Sequence, residues 1–246
     1  MKEINYKLCG KKDDEFLFEK NGYRIVKCKN CGLVYVNPQP EENEIEKFYE
    51  GHQKFYIKRY PTKLKSKLRE ARREINRIKR IFGKQKRINL LDIGCGCGFL
   101  LKEGKSLGWE VTGIEICEEE VEFAIKQFGV NVIKGNFLDL NIEGKFDVIT
   151  MFDLIEHLTN PFECFKKCYS LLKENRFLII ATPDVEHQNV KKEGKNWGHF
   201  KPPEHLFYFS LATLKGMCEK AGFIYKGSFF RFPWREGIKG VFQKSD

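Results

Sequence analysis

The amino-acid sequence predicts an α/β protein built on a doubly wound, mostly parallel sheet, with a small β-rich module ahead of it. Three observations carry that expectation. From residue 88 onward short apolar runs alternate with amphipathic stretches, a glycine turn joins the first run to the next stretch, and the first 40 residues show hairpin chemistry. Alternation of buried strands with helical stretches is the pattern of a parallel sheet covered on both faces.

Residues 1–40 contain two alternating runs, Glu15-Phe16-Leu17-Phe18 and Tyr23-Arg24-Ile25-Val26, on either side of Asn21-Gly22. That dipeptide favours the tight turn of a hairpin. A third run, Leu33-Val34-Tyr35-Val36, follows Cys28-Lys29-Asn30-Cys31-Gly32, and Asn37-Pro38-Gln39-Pro40 closes the module. Residues 41–87 read as a polar, basic linker of two helices, with Leu64, Leu68, Ile75, Ile78 and Ile81 at roughly helical spacing. Its 54–87 stretch holds fifteen Lys or Arg against only Glu70 and Glu74. Such a stretch is either a solvated helix face or a surface that attracts phosphates, nucleic acid or anionic lipid.

Residues 88–246 form the main domain. Strands are expected at 88–93, 110–115, 131–133, 146–151, 177–181 and 223–230, and helices at 99–107, 118–128, 161–172 and 211–221. A chain of 246 residues buries one full α/β core and carries a small appendage besides. Hydrophobic content of 41% and charged content of 32% are ordinary for a soluble protein, and no apolar run approaches the roughly 20 residues of a membrane span. Met1-Lys2-Glu3-Ile4-Asn5 lacks a secretory apolar segment, so a cytoplasmic location is expected. The nine cysteines are odd in number and two lie inside the glycine turn, which reads as reduced thiols.

The turn itself is Asp92-Ile93-Gly94-Cys95-Gly96-Cys97-Gly98, entered from the apolar run Asn89-Leu90-Leu91. Glycine suits a strand-to-helix turn where the backbone must bend sharply and approach a ligand. Dinucleotide enzymes use GxGxxG, whereas position 99 here is Phe, so the spacing disfavours NAD. Glu115 ends the next strand, where a carboxylate can accept both hydroxyls of a ribose.

These residues resemble the class I S-adenosylmethionine-dependent methyltransferases, over about residue 90 to the end, and with them the fold expectation becomes Rossmann-like. The resemblance implies that Asp92, Gly94, Gly96 and Gly98 form the cofactor loop and that Glu115 is the ribose acid. Gly135-Asn136-Phe137-Leu138-Asp139 matches the family's adenine-side segment, which makes Asn136 and Phe137 candidate adenine contacts; on sequence alone Phe137 reads equally as core. Phe152-Asp153-Leu154-Ile155-Glu156-His157-Leu158 looks like the Asp-x-x-Glu-His-Leu segment of the small-molecule branch, the quinone-biosynthesis O-methyltransferases among them, and adds Asp153 to the cofactor candidates. The stretch from Trp197 to Ser210 resembles members of that branch found with glycan-assembly enzymes.

The implied reaction is methyl transfer to a small or medium acceptor, oxygen first, with a glycan or lipid-linked intermediate as the leading substrate class. A hydroxyl nucleophile must lose its proton, and a histidine suits that task. His157 is the first candidate base, since its loop follows the fourth strand at the carboxyl edge of the sheet; His205 is the second. The competing reading makes His157 a loop-ordering residue, and His199 and His205, flanking Pro202-Pro203, part of a rigid substrate-side loop. Neither the Asn/Asp-Pro-Pro-aromatic run of base N-methylation nor the Pro-Cys of cytosine-carbon methylation occurs after Phe152. Two rival functions stand: an RNA methyltransferase using the basic linker to bind nucleic acid, and a non-catalytic S-adenosylmethionine-binding protein.

Cys28-x-x-Cys31-Gly32 and Cys9-Gly10 resemble the knuckles of a zinc ribbon, so the module is zinc-ribbon-like. Tetrahedral structural zinc takes four ligands. Tyr6 stands where the family pattern has its first cysteine, leaving Cys9, Cys28 and Cys31, with His52 as a distant fourth. Loss of the metal is the expected outcome on that count.

Overall fold

The computed structural model describes residues 1–4, 8–11, 13–41, 44–45, 60–228 and 236–245. Its first sheet starts as expected. β1 (Asp14–Lys20) and β2 (Tyr23–Cys28) pair antiparallel around Asn21 and Gly22, whose φ angles of 53° and 79° are the two left-handed residues of a tight hairpin turn. β3 (Val34–Val36) adds to β2, with Ile25 opposite Val36 and Lys27 opposite Val34.

The sheet does not end there. A two-residue strand from late in the chain, Phe207–Tyr208, pairs antiparallel with β3 through Val34–Tyr208 and Tyr35–Phe207. The same late segment supplies the core, where Ile25, Val34 and Val36 are buried with Trp197, Phe200 and Tyr208. Three short strands hold too little apolar area to fold alone, and β1 is almost wholly exposed.

The second sheet has seven strands. With β4 (Asn89–Ile93), β5 (Glu110–Glu115), β6 (Asn131–Lys134), β7 (Phe146–Phe152), β8 (Leu172–Pro183), β9 (the Phe207–Tyr208 strand), β10 (Phe223–Ser228) and β11 (Gly237–Lys244), its order is β10-β11-β8-β7-β4-β5-β6. β4 sits between two parallel neighbours, with Ile93 opposite Ile114 of β5 and Met151 of β7, and β6 runs parallel outside β5. Leu90, Leu91, Val148, Ile149 and Met151 are buried, as strands covered on both faces must be.

The helices are α1 (Tyr60–Ile81), α2 (Phe99–Lys105), α3 (Glu118–Phe128), α4 (Pro161–Leu171), α5 (Gln188–Glu193) and α6 (Leu211–Lys220). α3 and α4 fall where periodicity placed them. β11, β9 and α5 were not anticipated: Gly237-Ile238-Lys239-Gly240 carries two glycines, and the other two elements are very short. α1 is not a tether. Ala71, Ile75 and Ile78 are buried, and a side chain on Gly104 of α2 would come within 3.6 Å of Ile75, so α1 covers the domain while its basic face looks outward. The other helix expected in the linker falls on residues outside those described.

The chain accordingly forms two compact units, one from residues 1–50, 153–166 and 180–242, the other from 51–152, 167–179 and 243–246. Within the first unit β3 pairs with β9, and within the second α1 buries its apolar face. Among the described residues no helix is long and apolar enough to cross a membrane.

Candidate active site

In the unit containing β4, the chain leaves the buried strand through three left-handed glycines, Gly94 at φ 70°, Gly96 at 51° and Gly98 at 73°. A side-chain-bearing residue is strained in that region, which explains the alternation. The Gly94 and Cys95 amides donate to the Ile114 carbonyl at 2.8 and 3.1 Å, tying the turn to β5. Gly98 precedes α2, and a Cβ there would lie 2.8 Å from the Ala124 methyl of α3. Sequence reasoning missed Gly113. A Cβ on it would fall 2.5 Å from both Cys95 Sγ and Leu101 Cδ1, so a glycine inside β5 makes room for the turn's first cysteine.

Glu115 is nearly buried and already bonded. Its Oε2 accepts from the Gly96 amide at 2.9 Å, and its Oε1 from Ile116 at 2.8 Å and Cys117 at 3.0 Å. A carboxylate has about four acceptor positions, so acceptor capacity remains at Oε2. At Gly96 the nearest neighbour of an added Cβ would be the Glu120 carboxyl, at 3.6 Å. An acid with spare acceptor capacity beside a glycine backbone fits the nucleoside end of S-adenosylmethionine.

Asp92 lies in β4 where the strand enters the turn. It is 4% exposed, and its Oδ1 accepts from Thr150 Oγ1 of β7 at 2.6 Å. Burial, with Glu115 adding to it, pushes the carboxyl up to about 7. Its bond joins two strands below the turn. Asn136 is exposed, and its Oδ1 accepts from the Leu138 amide at 3.1 Å. Phe137 is buried, with the Lys167 ammonium 4.9 Å from its ring centre and donating to the Phe137 carbonyl at 2.6 Å.

In the other unit, Asp153 is the first residue after β7 and takes a left-handed φ of 51°, its amide donating to the Ala181 carbonyl at 2.9 Å. Asp and Asn enter that region more readily than other side chains, as Asn21 and Asn175 also do. A single helical turn follows at Ile155–His157. Glu156 is 2% exposed, accepts from Thr182 Oγ1 at 2.9 Å, and is pushed up to about 8 by burial and the neighbouring Asp153.

His157 Nδ1 lies 3.0 Å from the Glu204 carbonyl oxygen. A carbonyl only accepts, so Nδ1 carries the proton and Nε2 the lone pair. Nε2 stands 4.0 Å from Glu156 Oε1. Burial holds His157 down at about 4. His205 meets the His157 ring edge to face at 4.6 Å, and burial, then the neighbouring His157, Lys201 and His199, holds it at about 2. So low a proton affinity makes His205 a weaker base than His157. His199 stacks 6.1 Å from His205 and lies 3.9 Å from Glu236, whose carboxylate accepts from Trp197 Nε1 and Asn189 Nδ2.

The fold thus brings together Glu156, His157 and His205, whose ligand atoms all lie within 4.8 Å of one another. Glu156 and Glu236 were not assigned roles from sequence. Glu156 sits inside the quoted Asp-x-x-Glu-His segment, whereas nothing near Glu236 announces it. In the first sheet Cys9 Sγ is 3.5 Å from Cys28 Sγ, and the Cys31 sulfur lies in the same cluster. Tyr6 and His52 lie outside the described residues.

Comparison with known proteins adds the following. A family model described as a methyltransferase domain matches residues 63–225, about two thirds of the chain. The ubiquinone biosynthesis O-methyltransferase of Glaesserella parasuis serovar 5 (strain SH0165) is 33% identical over 113 residues, which cover 42% of this chain and 46% of that protein. The chain therefore spans just under half the length of the curated relatives it matches. Among solved structures, magnesium protoporphyrin IX methyltransferase from Synechocystis PCC 6803 with bound SAH superposes with a TM-score of 0.64 at 16% identity, covering 83% of this chain and 100% of that one. A SAM-dependent methyltransferase from Archaeoglobus fulgidus gives 0.56 at 21% identity, covering 72% and 94%.

Proposed function

We propose that this chain, which belongs to the methyltransferase-domain family, transfers the methyl group of S-adenosylmethionine to an oxygen of a small acceptor. The observation that carries the reading is the glycine turn whose Gly96 amide is locked to Glu115, with acceptor capacity left over for a nucleoside sugar. S-adenosylmethionine supplies a sulfonium-bound methyl group, an electrophile that needs no further activation. The protein's share is to hold the nucleoside, order the acceptor and take a proton.

Holding falls to Gly94, Gly96, Gly98 and Glu115, in a turn tied to β5 by its own amides. Proton removal falls to Glu156 and His157. The Nδ1–H of His157 is committed to the Glu204 carbonyl, so Nε2 is the nitrogen that meets an acceptor hydroxyl. An imidazole held at about 4 keeps a proton weakly, and the Glu156 carboxylate, held at about 8, is the stronger sink at 4.0 Å. The active form therefore has Glu156 ionised, and turnover rises with pH up to about 8.

The acceptor class we favour is a glycan or lipid-linked hydroxyl, on the likeness of the 197–210 stretch. The nine free thiols support a reducing, cytoplasmic setting. A second reading, methylation of RNA, is favoured by one observation: Lys63, Lys65, Arg69, Arg73, Lys79 and Arg80 are all exposed along α1.

Calorimetry with S-adenosylmethionine and NAD, followed by labelled-methyl transfer to fractionated cell extract, tests the proposal. Tighter binding of the methyl donor and label in a small-molecule fraction are expected. Equal or tighter NAD binding sinks the cofactor assignment, and label recovered only in RNA selects the second reading. Binding without transfer to any fraction selects a non-catalytic cofactor-binding protein. His157→Ala should lower turnover about 100-fold with donor affinity kept, and Glu156→Gln should abolish the rise toward pH 8.

A further inference from the structure

Tyr208 is a buried titratable residue that the methyl-transfer reading does not use. Pairing of β9 with β3 sets it opposite Val34, and its ring packs edge to face on Phe200, 4.8 Å away, within the core of the first sheet. Burial pushes its hydroxyl well above the ordinary tyrosine range, so the proton stays on and can be donated. It goes to the His205 carbonyl at 3.0 Å, while the Lys201 amide donates to the same hydroxyl oxygen. The His205 amide in turn donates to the Lys201 carbonyl at 3.0 Å. One hydroxyl therefore ties both ends of the 201–205 turn.

That turn meets the pair assigned to proton removal. Its Glu204 carbonyl lies 3.0 Å from His157 Nδ1, and Leu206, just beyond the turn, donates its amide to the Glu156 carbonyl at 2.8 Å. The Val36 amide of β3 donates to the Leu206 carbonyl at 2.9 Å, so a single residue joins the first sheet to Glu156. At the hairpin turn the Asn21 side-chain amide donates to the Pro202 carbonyl at 2.9 Å. A neutral imidazole carries its proton on the nitrogen that faces an acceptor. The place of the Glu204 carbonyl therefore decides which nitrogen of His157 keeps the lone pair. If that carbonyl turned away, the preference for Nδ1 would go with it.

We propose, on the reading of Glu156 and His157 as the proton-removing pair, that Tyr208 is a positioning residue for His157. Its hydroxyl holds the 201–205 turn so that the Glu204 carbonyl keeps the His157 proton on Nδ1 and leaves Nε2 to the acceptor. The first sheet then serves the reaction by carrying that tyrosine, and the pairing of β3 with a two-residue strand has a purpose beyond packing.

The test uses the full chain labelled with ¹⁵N in its histidines, whose number, five, keeps the spectrum sparse enough to assign. At a pH above the ordinary histidine range, the ring nitrogen shifts of His157, assigned with His157→Ala, report which nitrogen bears the proton. A proton on Nδ1 is expected in the parent. Tyr208→Phe removes one oxygen and keeps the ring, and should give a mixture of the two tautomers. It should also slow labelled-methyl transfer to the small-molecule fraction about fivefold, the scale of one neutral hydrogen bond, at unchanged S-adenosylmethionine affinity. Asn21→Gly, which keeps the left-handed turn and removes the side chain, should shift the tautomers the same way by less. Tyr35→Phe is the control, because its hydroxyl donates to Asp14 at 2.7 Å and not to the turn; parent signals and parent rate are expected. A parent proton on Nε2, a Tyr208→Phe chain that keeps the Nδ1 proton, or the same mixture in Tyr35→Phe overturns the positioning role. A Tyr208-dependent Nδ1 proton in a chain that transfers no methyl group upholds the hold on His157 and overturns the proton-removing pair instead.

Discussion

In the turn from Asp92 to Gly98 the working groups are main-chain amides and glycines, presented by one continuous stretch of chain and one acid from the next strand. In the cluster of Glu156, His157 and His205 they are side chains, drawn from segments almost fifty residues apart and held by burial. The turn keeps its polar groups bonded: Glu115 accepts three backbone amides. The cluster instead keeps its titratable groups away from their ordinary protonation ranges, with Glu156 raised and both histidines lowered. Binding geometry can be written into local backbone, whereas tuned proton affinity needs a tertiary environment.

The sharpest way to break that contrast is to perturb the turn through its backbone. Gly98→Ala places a methyl 2.8 Å from Ala124 Cβ at a φ of 73°, combining overpacking with left-handed strain. A loss of about 2–4 kcal/mol in unfolding free energy is expected, read from urea melts. Gly113→Ala, at an ordinary φ but 2.5 Å from Cys95 Sγ and Leu101, should cost about 1–3 kcal/mol by crowding alone. If both variants melt like the parent, the turn is not the rigid frame described above.

Burial in the cluster, and of Asp92 at the start of the turn, should appear in the pH dependence of stability. Glu156 and Asp92 keep their protons in the folded state up to about 8 and about 7, above their ordinary values of 4.5 and 3.8. Their contribution is full below those ordinary values and drains away as pH rises. The two histidines, held at about 4 and about 2 against an ordinary 6.5, contribute fully above 6.5 and lose it as pH falls. Between about 4.5 and 6.5 the two pairs offset each other. From about 6.5 to 8 only the carboxyls act, and stability should fall by about 2–3 kcal/mol. Glu156→Gln should remove the part of that fall between 7 and 8, and a parent curve flat from pH 6 to 8.5 would refute the assigned environments.

The turn can then be tested as a binding site. Glu115→Ala should weaken S-adenosylmethionine binding by about 1.5–3 kcal/mol in calorimetry, the scale of a charge-assisted hydrogen bond. Unchanged affinity would place the ribose acid elsewhere.

The same contrast explains what could be read from the sequence. Gly94, Gly96, Gly98 and the strand–helix alternation were legible because their cause is local: a φ angle, a period, a turn. Glu115 was legible as a position, but three of its acceptor sites proved to be taken by nearby amides. Asp92 was legible as a position too, but its bond to Thr150, fifty-eight residues away, was not. β9 and the Trp197–Phe200 core of the first sheet were not legible, because two residues carry no period and the hairpin's own pattern is complete without them. The raised carboxyl of Glu156 was hidden for a like reason, since its causes are burial and the nearby charges of Asp153 and Glu204, which outweigh the opposing bond from Thr182.

Asn136 gives the smallest and most discriminating effect. It stands at the end of β6 on the turn's side of the comparison, yet its side chain is exposed and spends its oxygen on the Leu138 amide, closing a local turn. If that bond is its whole purpose, Asn136→Ala should lower stability by about 0.5–1 kcal/mol and leave donor affinity untouched. A residue that also meets the adenine should lose affinity for S-adenosylmethionine by a similar amount, while binding of a fragment lacking the base is unaffected. We expect the second pattern, because the amide nitrogen stays available after the oxygen is committed, and an amide nitrogen can donate to a ring nitrogen of a purine. Equal affinities of parent and variant for the whole cofactor would return Asn136 to the loop and leave recognition of the base to main-chain groups, as in the glycine turn beside it.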